Sequence, residues 1–304
     1  MARAGPSAPE ISVIVPSYNA ARTIRNSLAA LAAQRTVVAH EVIVVDSGRD
    51  ETARVVEAEF PAVRLVRVPE RRYPGGARNL GVARAGGAIL AFTDADCVAA
   101  PDWVDALHAA HRAGHPVVGG VVANANPEGL VACAYYFTEF NRWMPGTPAG
   151  HVDDVPGCCW SMTRAAYDRY GPFLEAAYCS DTLFHWRMAA DGLRPYLDPR
   201  VGVAHVSPTR WRECLRHEPM HGRWFARLRA RERALSRRRL FLHVATTPVL
   251  PALLFVRVLR RVASTRERRR FLRASPLVAV SMAGWAWGEM RGYVEALRRP
   301  PVAG

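Results

Sequence analysis

Four short runs rich in apolar residues, with helical patterns between them, constrain most strongly what the amino-terminal part of the chain can fold into. The runs cover residues 11–16, 41–46, 64–68 and 88–93. After the first run, Ile24, Leu28 and Leu31 recur at the spacing of one helix face. Each strand with its helix takes about 25 to 30 residues, the length of a crossover between parallel strands. The order therefore predicts an α/β domain in which helices flank a mostly parallel sheet.

Polar residues stand where three of the predicted strands end. They are Ser17 and Tyr18 after Pro16 in the first strand, Asp46 in the second, and the triplet Asp94, Ala95 and Asp96 after the fourth. Open α/β sheets bind ligands at the carboxyl ends of their strands, so we expect a site at this edge. Strand alternation points the two carboxylates of the triplet to one side, where they suit Mg²⁺ or Mn²⁺ shared with a diphosphate. Taken alone, an Asp-x-Asp triplet is also typical of a solvated turn.

Six segments, taken in their order along the chain, resemble family 2 glycosyltransferases with the GT-A-type, Rossmann-like nucleotide-sugar fold. The segments are residues 12–19, 44–48, 76–81, 91–96, 157–173 and 181–187. The resemblance covers residues 10–206, and we place the catalytic domain at residues 1–206. It implies transfer of a sugar from a nucleoside diphosphate sugar to a glycan or lipid-linked acceptor, with inversion at the anomeric carbon. A UDP-sugar is the expected donor.

The resemblance also implies a role for each matching residue. Asp96 and His205 would hold the divalent metal, Pro16, Ser17, Tyr18, Asp46, Arg78, Asp94 and Ala95 would bind the nucleotide sugar, and Asp181 would be the catalytic base. Arg78 follows two glycines in the first turn of a predicted helix, where phosphate is favoured; the alternative is a surface salt bridge. The alternative role for Asp181 is that of a simple helix N-cap. Ser180 stands at the position where the family usually has Glu.

Positive charge is concentrated in the last third of the chain. Residues 1–204 carry 19 Arg against 21 Asp and Glu, whereas residues 205–304 carry 22 Arg against 6, and the chain has no lysine. Such an asymmetry predicts contact between the Arg-rich helical tail, residues 207–304, and an anionic surface. A nucleic-acid arm is not expected, because the Arg clusters alternate with long apolar runs rather than with stacking aromatic residues.

The tail contains two apolar segments, residues 240–259 and 276–287, and Arg clusters lie before the first and between the two. A transmembrane hairpin would place these clusters on opposite sides of the bilayer, which the positive-inside rule disfavours. We therefore expect peripheral or re-entrant attachment to the anionic, cytoplasmic face of the cell membrane, with a spanning segment as an alternative. A helical bundle with a solvated basic face is a further alternative.

The remaining features narrow the function less. The six cysteines lack zinc-site spacing and predict reduced thiols in a cytoplasmic protein. Residues 1–9 lack the apolar run of a signal peptide. His217 and His221, four residues apart on a predicted helix, are expected to be surface residues. One alternative function is a nucleotidyltransferase on a similar sheet, which would require a glycine-rich basic loop after the first strand. The other alternative is a catalytically degenerate membrane-bound scaffold.

Overall fold

The computed structural model describes residues 8–298, so the outermost residues of both predicted domains, including most of residues 1–9, lie outside the described part. The chain divides into two compact units. The sheet unit contains residues 8–125 and 143–206, and the helical unit contains residues 126–142 and 207–298. The segment 126–142 thus groups with the tail in the structure, although the sequence placed it inside the catalytic domain.

Nine strands form one sheet in the sheet unit. They are β1 (Ile11–Ser17), β2 (His40–Asp46), β3 (Arg64–Arg67), β4 (Ile89–Thr93), β5 (Cys97–Ala99), β6 (Val117–Asn124), β7 (Gly150–His151), β8 (Cys159–Thr163) and β9 (Tyr196–His205). The order is β3-β2-β1-β4-β8-β6-β9-β5, and β7 pairs with β9. The first four strands are parallel, whereas β8 is antiparallel to both of its neighbours. The predicted α/β fold class is confirmed, and the sheet is mixed.

Eleven helices complete the described part of the chain. They are α1 (Ile24–Ala32), α2 (Thr52–Glu59), α3 (Pro74–Val82), α4 (Trp103–Arg112), α5 (Leu130–Glu139), α6 (Arg164–Tyr170), α7 (Ser180–Ala190), α8 (Trp211–Glu232), α9 (Arg237–Thr246), α10 (Leu250–Val262) and α11 (Arg268–Arg298). Helix α5 and helices α8 to α11 belong to the helical unit.

Aromatic packing supports the strand that carries the Asp-Ala-Asp triplet. Phe92 of β4 lies opposite Trp160 of β8, with ring centroids 5.4 Å apart. Phe173 packs edge-on against Phe92 at 5.4 Å, and all three side chains are almost fully buried. Such aromatic pairs add to the free energy of burial, so the strand end is held on a rigid base. Trp160 is therefore a core residue.

In the helical unit, glycines allow α8 and α11 to approach closely. A Cβ atom on Gly288 would lie 2.0 Å from the carbonyl oxygen of Pro219, and one on Gly222 would lie 2.2 Å from that of Trp285. Val278, Met282 and other residues of the apolar segment 276–287 are buried on this face of α11. Packing within the unit accounts for part of that segment, whereas Val280 and Trp287 remain exposed, so a role of the segment at a membrane stays a prediction.

The other apolar segment remains largely uncovered. Residues Arg237–Val262 form a helical stretch that is long and apolar enough to cross a membrane, and little of it is buried within the protein. Large exposed side chains along it are Phe241, Leu242, Val249, Leu253, Val256 and Leu259. Soluble monomers rarely expose large contiguous apolar patches, so this face is a candidate contact surface for an apolar partner or phase.

Candidate active site at the carboxyl ends of the strands

Three predicted site segments end neighbouring strands. Ser17 ends β1 and Asp46 ends β2, and these two residues are paired in the parallel register. The Asp94 segment follows β4, which lies on the other side of β1. Because neighbouring strands are about 4.8 Å apart, Asp46 and Asp94 stand roughly 10 Å apart along this edge. A nucleotide lying along the edge would thus place its base and its diphosphate over different strands.

A short antiparallel pairing brings His205 to the Asp-Ala-Asp triplet. Strand β5 follows the triplet directly, and its Cys97 lies opposite His205 of β9. The N–H of Val206 donates to the carbonyl of Asp96 at 2.8 Å. In consequence, His205 Nε2 lies 3.5 Å from Asp96 Oδ2, whereas Ala95 is buried beneath the turn. The structure thus places two residues far apart in sequence side by side.

The donor set around Asp96 fits a divalent cation. Asp96, Cys97 and His205 each present one potential ligand atom, all within 4.8 Å of one another. Burial raises the pKa of the Cys97 thiol well above its ordinary value, so the neutral thiol is a poor ligand. A carboxylate with an imidazole suits Mn²⁺, and a carboxylate alone suits Mg²⁺. Asp96 is 40% exposed, which leaves it accessible from solvent.

Arg78, whose side chain is buried, forms an ion pair with the first carboxylate of the triplet, which is partly exposed. Its guanidinium donates to Asp94 Oδ1 at 3.0 Å and to the carbonyl of Gly157 at 2.8 Å, and its side chain is 4% exposed. Enclosure by the protein raises the pKa of Asp94 to about 6, although Arg78 lowers it. Helix α3 begins at Pro74, so Arg78 lies in its second turn rather than in the predicted first turn. Contact between Arg78 and a phosphate stays a prediction.

Asp181 lies next to this ion pair. It stands in the first turn of α7, where its Oδ1 accepts a hydrogen bond from the N–H of Thr182 at 2.9 Å. A Cβ atom on Gly157 would lie 2.5 Å from Asp181 Oδ2 and 3.5 Å from Arg78 Nη2. The bare backbone of Gly157 therefore separates the Asp181 carboxylate from the Arg78 guanidinium. The structure brings Asp181 to the triplet, and its role as the base stays a prediction.

A cavity of about 270 Å³ lies beside Asp46 at the end of β2, and Arg49, Asp50 and Arg67 also line it. Burial raises the pKa of Asp46, while the N–H of Gly48, which donates to its Oδ1 at 3.3 Å, lowers it. The volume lies near the lower limit of small-molecule pockets, which is appropriate for one part of a nucleotide rather than for all of it.

Tyr18 follows β1 at the same edge and is 42% exposed, with the Arg71 guanidinium 4.4 Å from its ring centroid. An exposed ring already stacked with a cation offers a flat surface for a nucleobase. Pro16, which precedes these residues, is a buried residue of β1, and its contact with a nucleotide stays a prediction.

Sequence reasoning missed several residues at this edge. Cys97 lies beside Asp96, and Gly157 lies beside Asp181. Arg67 lines the cavity at Asp46, and Arg71 lies over the Tyr18 ring. Gly157 had a weak signal, since it opens one of the matching segments. The two arginines had none, because arginine is the only strongly basic residue type in the chain and is common on its surface.

The chain is similar in sequence and fold to known glycosyltransferases. The model of glycosyl transferase family 2 matches residues 12–171. Glycosyltransferase AglE of Haloferax volcanii is 33% identical over 142 residues, which cover 45% of this chain and 47% of that protein. The chain spans less than half the length of this and other curated relatives that it matches.

Two solved structures share the fold. The mannosyltransferase PcManGT from Pyrobaculum calidifontis, in complex with GDP-Man and Mn²⁺, aligns with a TM-score of 0.59 at 23% identity. The alignment covers 96% of this chain and 87% of the PcManGT chain. S. aureus TarS 1-349, in complex with UDP-GlcNAc, aligns with a TM-score of 0.55 at 18% identity. The alignment covers 94% of this chain and 92% of the TarS chain. At these identities the structures show the fold alone. Since the family model covers more than half of the chain, the protein belongs to glycosyl transferase family 2.

Proposed function

We propose that the protein transfers a sugar from a nucleoside diphosphate sugar to an acceptor hydroxyl, with inversion at the anomeric carbon. The observation that carries the proposal is the meeting, at one sheet edge, of the Asp96–His205 pair with the cluster of Asp94, Arg78 and Asp181. Membership of glycosyl transferase family 2 supports the same reaction class.

The donor would lie along the edge from β2 to β4. Its base would enter the cavity at Asp46 and stack on Tyr18, its ribose would pass over Ser17, and its diphosphate would reach Asp94. PcManGT was solved with GDP-Man and TarS with UDP-GlcNAc. A UDP-sugar remains our expected donor, and a GDP-sugar is the alternative that these structures add.

Asp96 and His205 are the residues that would hold a divalent ion, with Asp94 beside them. When bound, Mg²⁺ or Mn²⁺ supplies positive charge against the diphosphate of the donor. Arg78 Nη2 donates both to Asp94 Oδ1 and to the carbonyl of Gly157, so this wall of the site would be held in place before the donor binds.

Asp181 would act as the base. Its carboxylate takes the proton of the acceptor hydroxyl while the hydroxyl oxygen forms a bond to the anomeric carbon. The bond from that carbon to the diphosphate oxygen breaks, and the nucleoside diphosphate leaves with the electron pair. Attack from the face opposite the leaving group inverts the configuration. Ser180 in place of Glu leaves the acceptor to be oriented by other residues.

A donor screen tests this function. Purified full-length protein is incubated with UDP-, GDP- and dTDP-sugars, with and without Mn²⁺ or Mg²⁺, and release of the nucleoside diphosphate is measured. We expect one nucleotide class to be hydrolysed in a metal-dependent manner, with water as the acceptor. Release of pyrophosphate instead would favour the nucleotidyltransferase. Binding of a donor without any turnover in the presence of candidate acceptors would favour the degenerate scaffold.

We further propose that the tail attaches the protein to the cytoplasmic, anionic face of the cell membrane, where a lipid-linked or glycan acceptor is available. The exposed apolar side chains of α9 and α10 support this, and so do the exposed Arg238 and Arg239 at one end of the stretch and Arg260 and Arg261 at the other. Arginines at both ends suit a helix that lies in the interface better than one that spans the bilayer.

Flotation of the full chain with liposomes tests the attachment. Each Arg near anionic lipid contributes about 1 kcal/mol, so R237Q/R238Q/R239Q should weaken partitioning on the order of 10²-fold. The matched control is R22Q/R54Q/R84Q, which removes three exposed arginines from the sheet unit and should float like the wild type. Equal flotation of both triple variants, or no flotation of the wild type, would contradict the proposal.

A further inference from the structure

Residues 217–221 of α8 read His-Glu-Pro-Met-His, which is the H-E-x-x-H pattern that places two imidazoles on one helix face in zinc proteins. His217 and His221, which the sequence analysis places at the surface, are partly buried in the structure. Their side chains are 24% and 23% exposed, and both face Glu139, the last residue of α5. All three residues belong to the helical unit.

The potential ligand atoms converge. His221 Nδ1 lies 3.5 Å from Glu139 Oε2, and His217 Nδ1 lies 4.0 Å from Glu139 Oε1. One ligand atom from each residue lies within 4.8 Å of those from the other two. In a tetrahedral zinc site with bonds of about 2.0 to 2.1 Å, the ligand atoms stand about 3.3 Å apart. Small side-chain movements would therefore convert this arrangement into a coordination shell.

Glu218 places a second acid beside the three residues. Its side chain is 1% exposed, and Oε1 lies 3.6 Å from His217 Nδ1. Neither carboxylate oxygen reaches a hydrogen-bond donor among the described residues. Two enclosed carboxylates near each other repel, and burying them is costly unless positive charge is supplied. A dication between the carboxylates would supply that charge.

Aromatic rings enclose the two imidazoles. The Trp285 ring of α11 lies 4.7 Å from the His221 ring, and the Tyr135 ring of α5 lies 5.4 Å from the His217 ring. The orientation of both imidazoles is thus limited by packing, as it is in ligand sets that are preorganised for a metal. The partial exposure of all three side chains leaves a route for an ion from solvent.

We propose that Glu139, His217 and His221 bind a divalent first-row transition metal, for which Zn²⁺ is the probe, with Glu218 beside them supplying a second negative charge. Two imidazoles with one carboxylate select such metals over Mg²⁺ or Ca²⁺, which prefer oxygen ligands. The ion would join α5 to α8 inside the helical unit. This site does not depend on the proposed sugar transfer, and its ligands differ from those at Asp96.

The experiment removes the sugar-site metal first. Full-length Asp96→Asn protein is stripped with a chelator, and Zn²⁺ binding is measured by competition with a chromophoric chelator. The same protein is titrated with Co²⁺, whose visible spectrum reports coordination number and nitrogen ligands. H217Q, H221Q and E139Q are then added singly to D96N. The matched control is H243Q, which changes a histidine of the same unit that is stacked on Tyr293.

We expect D96N to bind one equivalent of Zn²⁺ and to give the Co²⁺ spectrum of a low-coordinate site with nitrogen ligands. Loss of a group that only surrounds the metal ligands typically lowers metal affinity about 10- to 100-fold, and we expect an effect of this size when E218Q is added to D96N. Loss of a direct ligand in H217Q, H221Q or E139Q should lower the affinity by at least about 100-fold. H243Q should change nothing. Failure of D96N to bind Zn²⁺ at micromolar concentration overturns the site, whether or not the variants fold. So does equal binding by D96N and its three ligand variants.

Discussion

Gly157→Ala tests whether Asp181 is the base without altering a charged group. The added Cβ would lie 2.5 Å from Asp181 Oδ2, about 0.9 Å closer than the 3.4 Å at which ordinary contact begins. It would lie 3.5 Å from Arg78 Nη2, which is an ordinary contact. The Asp181 carboxylate must therefore move, whereas the pair of Arg78 and Asp94 stays in place.

The size of the effect follows from that displacement. A misplacement of about 1 Å costs on the order of 10²-fold in rate, so we expect G157A to lower kcat by about that factor. Donor affinity should change little, because Asp181 is not assigned to the donor. Stability should also change little, since the displaced atom ends a side chain that can rotate. The hydrogen bond that Asp181 accepts from the N–H of Thr182 is the contact that this movement would weaken.

The assay is release of nucleoside diphosphate from the donor identified by the screen, together with calorimetric donor affinity. Gly202→Ala is the matched control, because a Cβ on Gly202 meets its nearest atom, Val121 Cγ2, at an ordinary 3.5 Å. Both variants add one methyl group to a glycine of the sheet unit, and only G157A should be slow.

A double-mutant comparison makes the test sharper. Because G157A acts through the Asp181 carboxylate, it should cost little more when Asp181 is already Asn. The reasoning is refuted if G157A retains the wild-type kcat, or if it slows D181N by the same factor as it slows the wild type. In the second case the methyl group would be acting on something other than the base.

Three further substitutions test separate parts of the structure. Asp96→Asn should abolish metal-dependent nucleotide binding with a nearly unchanged melting temperature, because the carboxylate is 40% exposed; calorimetry with Mn²⁺ and differential scanning measure the two effects. Asp181→Asn should keep donor affinity and lower kcat on the order of 10² to 10⁴, which steady-state kinetics will check, and a product of retained configuration would exclude inversion. Gly288→Ala should destabilise the helical unit by about 1 to 3 kcal/mol or more in chemical denaturation, because its Cβ meets the Pro219 carbonyl oxygen at 2.0 Å, whereas Gly284→Ala, with nothing nearer than 3.5 Å, should not.

The parallel half of the sheet and its polar edge could be predicted from the sequence because their signals are local. An apolar run, a polar residue at its end and a helical pattern all fall within one strand–helix unit, as in Ile11–Ser17 and His40–Asp46. The antiparallel pairs could not be predicted in this way. The pairing of Cys97 with His205 joins segments more than a hundred residues apart, and strand propensity carries no information about such partners. The closeness of His205 to Asp96 therefore came from the family resemblance and not from the residues alone.

Buried electrostatics were also beyond a linear reading. Arg78 was predicted to bind a phosphate, and in the structure it forms a part-buried ion pair with Asp94. Likewise, the H-E-x-x-H segment became interpretable once α5 brought Glu139 to it. In both cases the partner is set by tertiary packing, and the sequence shows only that a residue able to form an ion pair is present.

The two apolar segments of the tail differ in a way that the sequence records. In α11, Gly284, Gly288 and Gly292 recur every four residues, which aligns them on one face and allows the backbone of α8 to approach. The stretch Arg237–Val262 has no glycine, and its large apolar side chains remain exposed. Small residues at helical spacing thus distinguish an apolar helix that packs on a neighbour from one that has its apolar face free. For the membrane attachment proposed above, salt should release only the charge-dependent part of binding, because apolar burial of the uncovered face of α9 and α10, which salt does not screen, would supply the rest.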